Sequence, residues 1–412
     1  MSNKETTIRD WATAFSGYAF PSEALVSIGT PVLKISNVQR RYVTKEVDSY
    51  YNGEISKKLE RYILQKKDFL IAMTGAGSVG RVGKMVDCKD VFLVNQRIAI
   101  VRPKFEDNGF LYYWMTMPFV EKYLYSLGIG AGQPNISAND ILNMKLNAPS
   151  LPTQRRIASI LSAYDNLIEN NTRRIRLLEQ MAENLYKEWF VRFRFPGHEK
   201  VEFENGLPKG WKVEKLGEWG ITLDTGSRPK GGIDDTLSNG VPSLGAESIK
   251  DLASYDYSST KYIPHDFFNK MKRGKNTGND ILLYKDGAYI GKVTLFRDEF
   301  PYKEYAINEH VFFISPNTKT YKNYLYFTLH QDAYFTLMQN LNRNAAQPGL
   351  SRPDIERVKI VIPLEDIINE YNKKVEPILG SIFKLAKSNA LLTRQRDLLL
   401  PRLMSGKLEV KE

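Results

Sequence analysis

The sequence predicts an α+β protein in which two similar globular domains are joined by two long antiparallel coiled-coil helices, with pseudo-two-fold symmetry. Three observations lead to this prediction. An internal repeat of about 210 residues runs through the chain. A seven-residue apolar periodicity follows each repeat, and short apolar strands precede aromatic-rich helical stretches inside each repeat. At 412 residues the chain is also too long for one compact core.

The internal repeat consists of four segments in the first half that match four segments in the second half in the same order. The matched pairs are 29–38 with 240–249, 68–82 with 280–293, 95–101 with 308–314, and 131–149 with 345–363. The offset between partners drifts only from 211 to 214 residues. Four ordered matches at a nearly constant offset indicate the duplication of one domain.

A heptad repeat predicts a long helix after each domain. The two apolar rows of the first helix are Leu161, Ile168, Ile175, Ala182 and Trp189, and Ile157, Tyr164, Asn171, Leu178 and Leu185. Those of the second are Tyr371, Ile378, Leu385, Leu392 and Leu399, and Val375, Ile382, Asn389, Arg396 and Leu403. About five sustained heptads favour a coiled coil over an ordinary amphipathic helix lying on a globular core.

Each predicted helix carries one asparagine in its apolar seam, Asn171 in the first and Asn389 in the second. A seam asparagine fixes the register of a coiled coil at some cost in stability. In an antiparallel pair, one row of the first helix faces the opposite row of the second. We therefore expect Asn171 to face Asn389, and a separation of more than one helical turn would contradict this hypothesis.

These patterns divide the chain into five segments. They are a first globular domain (1–150), a central helix (151–195), a linker (196–210), a second globular domain (211–363) and a C-terminal helix (364–405). The predicted strands are Phe69–Met73, Val91–Val94, Ile98–Val101, Ile281–Tyr284 and Val311–Ile314. The predicted helical stretches inside the domains are Leu111–Tyr125 and Tyr324–Met338.

Composition limits the function classes. A net charge of +11 favours a polyanionic partner. The single cysteine, Cys88, excludes a disulfide framework and a cysteine-based zinc site. His198, His265, His310 and His330 lie far apart without metal-ligand spacing, so we expect no metal. The polar N-terminus and the short apolar runs predict no signal peptide, no membrane association and a cytoplasmic location.

Signatures of catalysis are missing from the sequence. Residues 75–80 read GAGSVG, the glycine pattern of a dinucleotide-binding loop, but the following residues predict a strand instead of a helix. An acidic residue is also missing about 20 residues further on, so a tight loop is the better interpretation. No phosphate loop, adenine-methyltransferase segment or convincing nuclease cluster occurs. We therefore expect neither catalytic residues nor a cofactor on this chain.

Candidate DNA contacts are basic and polar residues in loops near the repeated glycine turn and the repeated Gln-Pro turn. Such side chains can bind phosphates or read base edges, although a solvated surface charge is the alternative for each of them. In the first domain they are Arg40, Arg41, Lys57, Lys58, Thr74, Ser78, Arg81 and Gln133. In the second they are Arg228, Lys230, Lys272, Arg273, Lys275, Lys285, Tyr289, Lys292, Arg343 and Gln347.

The chain resembles the specificity subunit of type I restriction–modification systems along essentially its whole length. The segments that carry the resemblance are 131–137, 147–161, 177–201, 206–218, 345–355 and 398–410. One departure is that the first domain begins abruptly and lacks a counterpart of 206–218, with Trp11 matching Trp219.

The resemblance implies two target-recognition domains that each read one half of a split double-stranded DNA site, with the helix pair as a spacer. It implies as partners two copies of an N6-adenine DNA methyltransferase subunit, which would carry S-adenosylmethionine, and motor–nuclease restriction subunits. Three other interpretations stay open at this point. The chain could be a self-contained DNA methyltransferase or nuclease, a non-catalytic coiled-coil scaffold, or the recognition subunit of a related two-subunit restriction system.

Overall fold

The structure is a computed structural model, and it describes residues 4–85, 90–105, 109–129, 132–234, 236–237, 239–276, 278–341 and 349–410. The chain divides into two units: Met1–Glu169 with Leu392–Glu412, and Asn170–Leu391. Each unit combines β-sheets with short helices and with one stretch of each long helix. The predicted α+β class is therefore confirmed.

The first unit contains a five-stranded sheet in the order Ala12–Ser16, Ile98–Pro103, Phe69–Ala72, Val82–Lys84 and Arg41–Tyr42. A second sheet has the order Leu25–Val26, Tyr50–Tyr51, Thr30–Leu33 and Leu93–Val94, and a third pairs Lys4–Thr7 with Lys145–Ala148. The short helices are Ile8–Trp11, Lys57–Glu60, Gly109–Met115, Pro118–Leu127 and Ala138–Leu142.

Burial on both faces explains why the central strands of this five-stranded sheet are continuous apolar runs. Phe69 and Ile71 point into one core and Leu70 and Ala72 into another, because successive side chains of a strand leave opposite faces of the sheet. A strand covered on only one face would instead alternate between apolar and polar residues.

The second unit repeats this architecture. Its main sheet has the order Ile221–Thr225, Val311–Pro316, Asp280–Tyr284 and Val293–Phe296, and a second sheet has the order Lys261–Ile263, Val241–Leu244, Tyr305–Ile307 and Lys275–Asn276. Two-stranded sheets pair Lys212–Lys215 with Lys359–Ile362, and Phe203–Glu204 with Leu207–Pro208. The short helices are Leu216–Trp219, His265–Lys270, Lys322–Leu329, Asp332–Leu341 and Arg352–Glu356.

Three sequence predictions need correction. The strand predicted from Val91 begins only at Leu93. Each predicted aromatic-rich stretch is broken into two helices, after Met115 in the first unit and after Leu329 in the second. In the first unit the next helix starts at Pro118, because proline's fixed φ suits a first helical position and it has no N–H to donate there.

The third correction concerns the start of the first domain. Lys4–Thr7 pairs with Lys145–Ala148 as Lys212–Lys215 pairs with Lys359–Ile362, and a one-turn helix follows each strand. The expected absence of a counterpart to 206–218 is therefore wrong for its strand and helix. The sequence similarity is short, because beyond the tryptophan pair it consists of little more than Ile8 with Leu216, both fully buried.

The first long helix spans Leu151–Tyr186 and continues into a π-helical turn over Lys187–Val191, and the second spans Glu365–Met404. In the first unit, Ile157 and Leu161 share a core with Leu400 and Leu403. In the second unit, Ala182 lies in one core with residues of the other helix such as Ile382. The predicted apolar rows therefore face inward in both units.

The two long helices run antiparallel within the second unit. The Asn171 side-chain amide donates a hydrogen bond of 2.9 Å to the side-chain oxygen of Asn389, and the ring centroids of Trp189 and Tyr371 lie 5.9 Å apart. Residue numbers therefore increase along one helix while those of the facing residues decrease along the other. Among the described residues, no helix combines the length and the apolar character needed to cross a bilayer.

Candidate nucleic-acid interface

Each unit presents a tight glycine loop between two strands of its main sheet, here called the first Gly loop (Thr74–Arg81) and the second Gly loop (Lys285–Lys292). Gly80 and Gly291 have φ angles of 82° and 87°, in the left-handed region that favours glycine. A Cβ on Gly80 would lie 2.8 Å from the carbonyl oxygen of Glu121. A strand follows each loop, so the GAGSVG segment lacks the helix that a dinucleotide site requires.

A second segment lies directly beside each Gly loop. In the first unit, the Gly75 N–H donates to the carbonyl of Pro134 at 3.2 Å, which brings exposed Gln133 next to the loop. In the second unit, the Leu350 N–H donates to the carbonyl of Lys285 at 3.0 Å. The repeated Gly turn therefore contacts the segment at Pro134 in the first unit and the segment at Gly349 and Leu350 in the second. Two predicted contact residues of the second unit, Arg343 and Gln347, lie outside the described residues.

A third segment, not predicted as a contact from the sequence, lies beside the other two at the same end of the main sheet. The three segments together are called the edge of each unit. The side-chain oxygen of Asn95 accepts a hydrogen bond from the Arg97 N–H at 3.2 Å, and Asn308 accepts one from the His310 N–H at 2.9 Å. The carbonyls of Arg97 and His310 then accept hydrogen bonds of 3.0 Å from the first residues beyond the adjacent strands. Arg97 is exposed at the sheet edge. The matched segments at 95 and 308 contained this signal, because their third residue is a cation or a histidine.

The second unit has an electrostatic network at this edge. The Asp286 carboxylate accepts a hydrogen bond of 2.8 Å from the Lys285 amine and lies 3.1 Å from Nδ1 of His310. Nε2 of His310 lies 3.1 Å from the Arg228 guanidinium, which can only donate. His310 in its Nδ1-protonated neutral form satisfies both contacts. Arg228 also pairs with Glu309, so acidic groups partly balance the cations of this edge.

The two adjacent arginines predicted as contacts in the first unit, Arg40 and Arg41, differ in exposure. Arg40 is exposed and makes a bidentate ion pair with Glu121, with contacts of 2.9 Å. Arg41 is mostly buried, and its guanidinium pairs with Asp397. Its backbone carbonyl accepts a hydrogen bond of 2.7 Å from the Tyr112 hydroxyl. An exposed ion pair contributes little and can open for a phosphate, whereas Arg41 holds packed elements together.

The remaining predicted residues lie on the surface or at its margin. Lys57, Lys58, Lys230, Lys272 and Tyr289 are exposed. The others of the second unit have partners: Lys275 donates to the carbonyl of Asn269 at 2.9 Å, Arg273 lies 3.9 Å from Asp224, and Lys292 pairs with Asp251 at 3.0 Å. Thr74, Ser78 and Arg81 are partly exposed in the first Gly loop.

This arrangement offers hydrogen-bond donors and acceptors of the kind that bind DNA. Arginine and glutamine side chains can read base edges, and lysine and serine side chains bind phosphate oxygens. In the first unit, Gln133, Ser78, Arg81 and Arg97 belong to three adjacent segments. The second unit builds the same edge with a histidine and a carboxylate in place of some of these groups.

Comparison with known proteins gives consistent matches. The family described as "Type I restriction modification DNA specificity domain" matches residues 2–180 and again 208–388. The specificity subunit of the type I restriction enzyme MjaIX from Methanocaldococcus jannaschii is 27% identical over 351 residues, covering 80% of this chain and 76% of the relative. The HindI specificity subunit from Haemophilus influenzae is 23% identical over 348 residues, covering 67% of this chain and 71% of the relative.

Among solved structures, the S subunit of a type I restriction–modification system from M. genitalium aligns with a TM-score of 0.54 at 15% identity. The alignment covers 98% of this chain and 99% of that one. At this level of identity the structural similarity supports the fold alone, while the two family matches account for nearly the whole chain.

Proposed function

The chain belongs to the family of type I restriction–modification DNA specificity subunits, and from this we propose that residues 1–150 and 211–363 each form a target-recognition domain that reads one half of a bipartite DNA site. A specificity subunit of this family is itself non-catalytic. The observation that carries the proposal is the three-segment edge, which is built twice on the same backbone with different side chains.

Different side chains on one frame are what two unlike half-sites require. Arg97 in the first unit is a permanent cation that can make a bidentate contact to guanine. His310 occupies the corresponding place in the second unit, and its two ring nitrogens lie within 3.1 Å of Asp286 and Arg228. The two edges therefore present different donor and acceptor patterns to a groove, and we infer that they select different bases.

We further propose that the two long helices set the gap between the half-sites. Helices of 36 and 40 residues extend about 54 and 60 Å at 1.5 Å per residue. The hydrogen bond between Asn171 and Asn389 supports a single antiparallel register, because any shift would leave two amides facing apolar neighbours. A fixed register makes the half-site separation a property of the scaffold.

Partner docking is the second role that we propose for the helices. Leu167, Leu177, Met181, Leu391 and Leu398 are each more than half exposed and lie outside the heptad rows. Leu177 and Met181 are four residues apart on the first helix and share one face, and adjacent exposed apolar side chains favour a protein partner. The partners are two copies of an N6-adenine methyltransferase subunit, which would hold S-adenosylmethionine, together with motor–nuclease restriction subunits. The assembly would act in the cytoplasm, where its DNA lies.

The test is a genome-wide map of N6-methyladenine in cells with the gene intact and deleted. The proposal expects one split motif, two short half-sites around a fixed gap, to lose methylation when the gene is deleted. Restoring the gene should restore the motif. A map in which no split motif changes, while the partner methyltransferase is expressed, would contradict the proposal.

The role of the edge is tested separately with Arg97→Ala in the assembled complex. A base-reading arginine is expected to cost roughly 1–3 kcal/mol of DNA affinity and to relax selectivity at one position of one half-site. Lys200→Ala is the matched control, because Lys200 is an exposed cation in the linker. Equal loss of affinity on all sequences, with a salt dependence reduced by about one ion, would make Arg97 a phosphate contact instead.

A further inference from the structure

A cluster of three potential metal ligands lies in the second unit, on residues that belong to none of the three segments of the proposed DNA-contact edge. Glu179 and Glu183 are four residues apart on the first long helix, so they project from the same face. His330 directly follows the helix Lys322–Leu329 and lies 3.3 Å from the Glu183 carboxylate. One ligand atom from each of the three side chains lies within 4.8 Å of the other two, and no other such group was found among the described residues.

An independent observation points to a ligand at this cluster. The Tyr326 hydroxyl is buried and has no hydrogen-bond partner within the described structure, although buried hydroxyls normally have one. Tyr326 is one turn before His330, and the two rings stack with centroids 5.4 Å apart. Burial raises the pKa of Tyr326, and the carboxylates of Glu179, Glu183 and Asp251 raise it further.

The ligands of the cluster are largely shielded from solvent. The side chains of Glu183 and His330 are only 26% and 24% exposed. Lys187 lies 3.8 Å from the Glu183 carboxylate, at the long end of the range for an ion pair.

In the first unit, the residue that corresponds to Glu183 has different neighbours. The repeat counterpart of Glu183 is Asp397, and the carboxylate of Asp397 is paired with the Arg41 guanidinium. An internal cation therefore neutralises the helix carboxylate in the first unit. In the second unit, two carboxylates and an imidazole occupy this region instead, and such a set matches the preferences of a divalent metal ion.

We propose that Glu179, Glu183 and His330 bind one divalent transition cation, with Zn²⁺ as the representative of the class. Two carboxylate oxygens and one imidazole nitrogen suit a borderline cation better than Mg²⁺, which prefers oxygen ligands throughout. The ion would connect the first long helix to the helical layer of the second unit. From the sequence we expected no metal-binding histidine, because these ligands are far apart in the chain and only the fold brings them together.

The experiment titrates Zn²⁺ into the full-length chain after treatment with a chelator, using calorimetry, and repeats the titration with Co²⁺ to follow its visible absorption. We expect one equivalent to bind. Loss of a residue that only hydrogen-bonds to a metal ligand usually weakens metal binding by 10- to 100-fold. Glu183→Gln and His330→Asn each remove a ligand itself, and should therefore weaken binding by at least about 100-fold. His265→Asn is the matched control, because His265 is exposed and outside the cluster.

Thermal unfolding supplies a second readout. Saturating Zn²⁺ is expected to raise the Tm of the wild type and of His265→Asn, and to leave Glu183→Gln unchanged. Glu183→Gln should unfold at the wild-type temperature without metal, which separates lost binding from lost folding. Wild-type chain that binds no stoichiometric Zn²⁺, affinity that survives both ligand substitutions, or displacement by equimolar Mg²⁺ would each overturn the proposal.

Discussion

Removing one heptad from both long helices tests whether the helix pair sets the gap between the half-sites. The matched blocks are 166–172 and 388–394, which contain the hydrogen-bonded pair Asn171 and Asn389. They lie between the stretch of the first helix that packs in the first core, at Ile157, and the stretch that packs in the second, at Ala182. Deleting whole heptads keeps the apolar rows in phase and leaves no asparagine without its partner.

The helix geometry gives the size of the effect. Seven residues at 1.5 Å per residue shorten each helix by about 10 Å. B-DNA rises 3.4 Å per base pair, so the preferred gap should shrink by about three base pairs. With roughly 10.5 base pairs per turn, the half-sites would also rotate by about 100° relative to each other, so the original site should bind poorly. Duplicating the same two blocks should lengthen the gap by about three base pairs.

The assay is the methylation map of cells that carry the deletion or the duplication together with the partner subunits. The expected result is a motif with both original half-sites and an altered gap. Deleting the block from one helix alone is the control, since it destroys the antiparallel pairing and should abolish methylation. A changed half-site sequence, or an unchanged gap in both variants, would refute the idea that helix length sets the spacing.

Three further predictions concern stability. Arg396→Met removes the mostly buried guanidinium that pairs with Asp165, and should lower the free energy of unfolding in urea by about 2–4 kcal/mol. The loss is smaller than for a fully buried pair because Asp165 is 30% exposed, and a loss under about 1 kcal/mol would contradict this. Gly80→Ala forces a side chain into a φ of 82° and should cost roughly 1–3 kcal/mol in thermal unfolding, so wild-type stability would argue against a strained loop. Asn171→Leu should destabilise by about 1–3 kcal/mol by removing the hydrogen bond that the side-chain oxygen of Asn389 accepts from Asn171, while leucine at both positions should recover that loss, and a double variant no more stable than the single would contradict it.

The parts of the fold that follow from local periodicity could be predicted from the sequence. Heptad rows depend on residues seven apart in the same helix, so Ile157 and Leu403 could be assigned to buried seams without knowing any partner. The helix breaks after Met115 and Leu329 were missed, because aromatic residues on both sides continue the apolar pattern across each break. The strand Lys4–Thr7 was missed because its evidence is a pairing with residues about 140 positions away.

The candidate site was only partly predictable, for a related reason. The first Gly loop and the Gln-Pro turn were recognised as repeated features, but their proximity depends on hydrogen bonds such as that from Gly75 to Pro134. Arg97 was overlooked because its position beside the loop comes from an asparagine turn and from strand pairing. Arg41 was chosen for its charge, and its burial against Asp397 depends on a contact between residues distant in the chain.

The duplication also explains why the frame could be predicted while the target could not. Corresponding backbone hydrogen bonds connect Met73 with Arg97 and Lys285 with His310, each at 3.0 Å. These bonds involve only N–H and carbonyl groups, so they form whichever side chain stands at that position. A frame held by the backbone permits an arginine in one unit and a histidine in the other without loss of the fold. On the proposed function, specificity would reside in the side chains that the folding pattern constrains least, and methylation mapping of edge variants tests this more directly than any sequence periodicity.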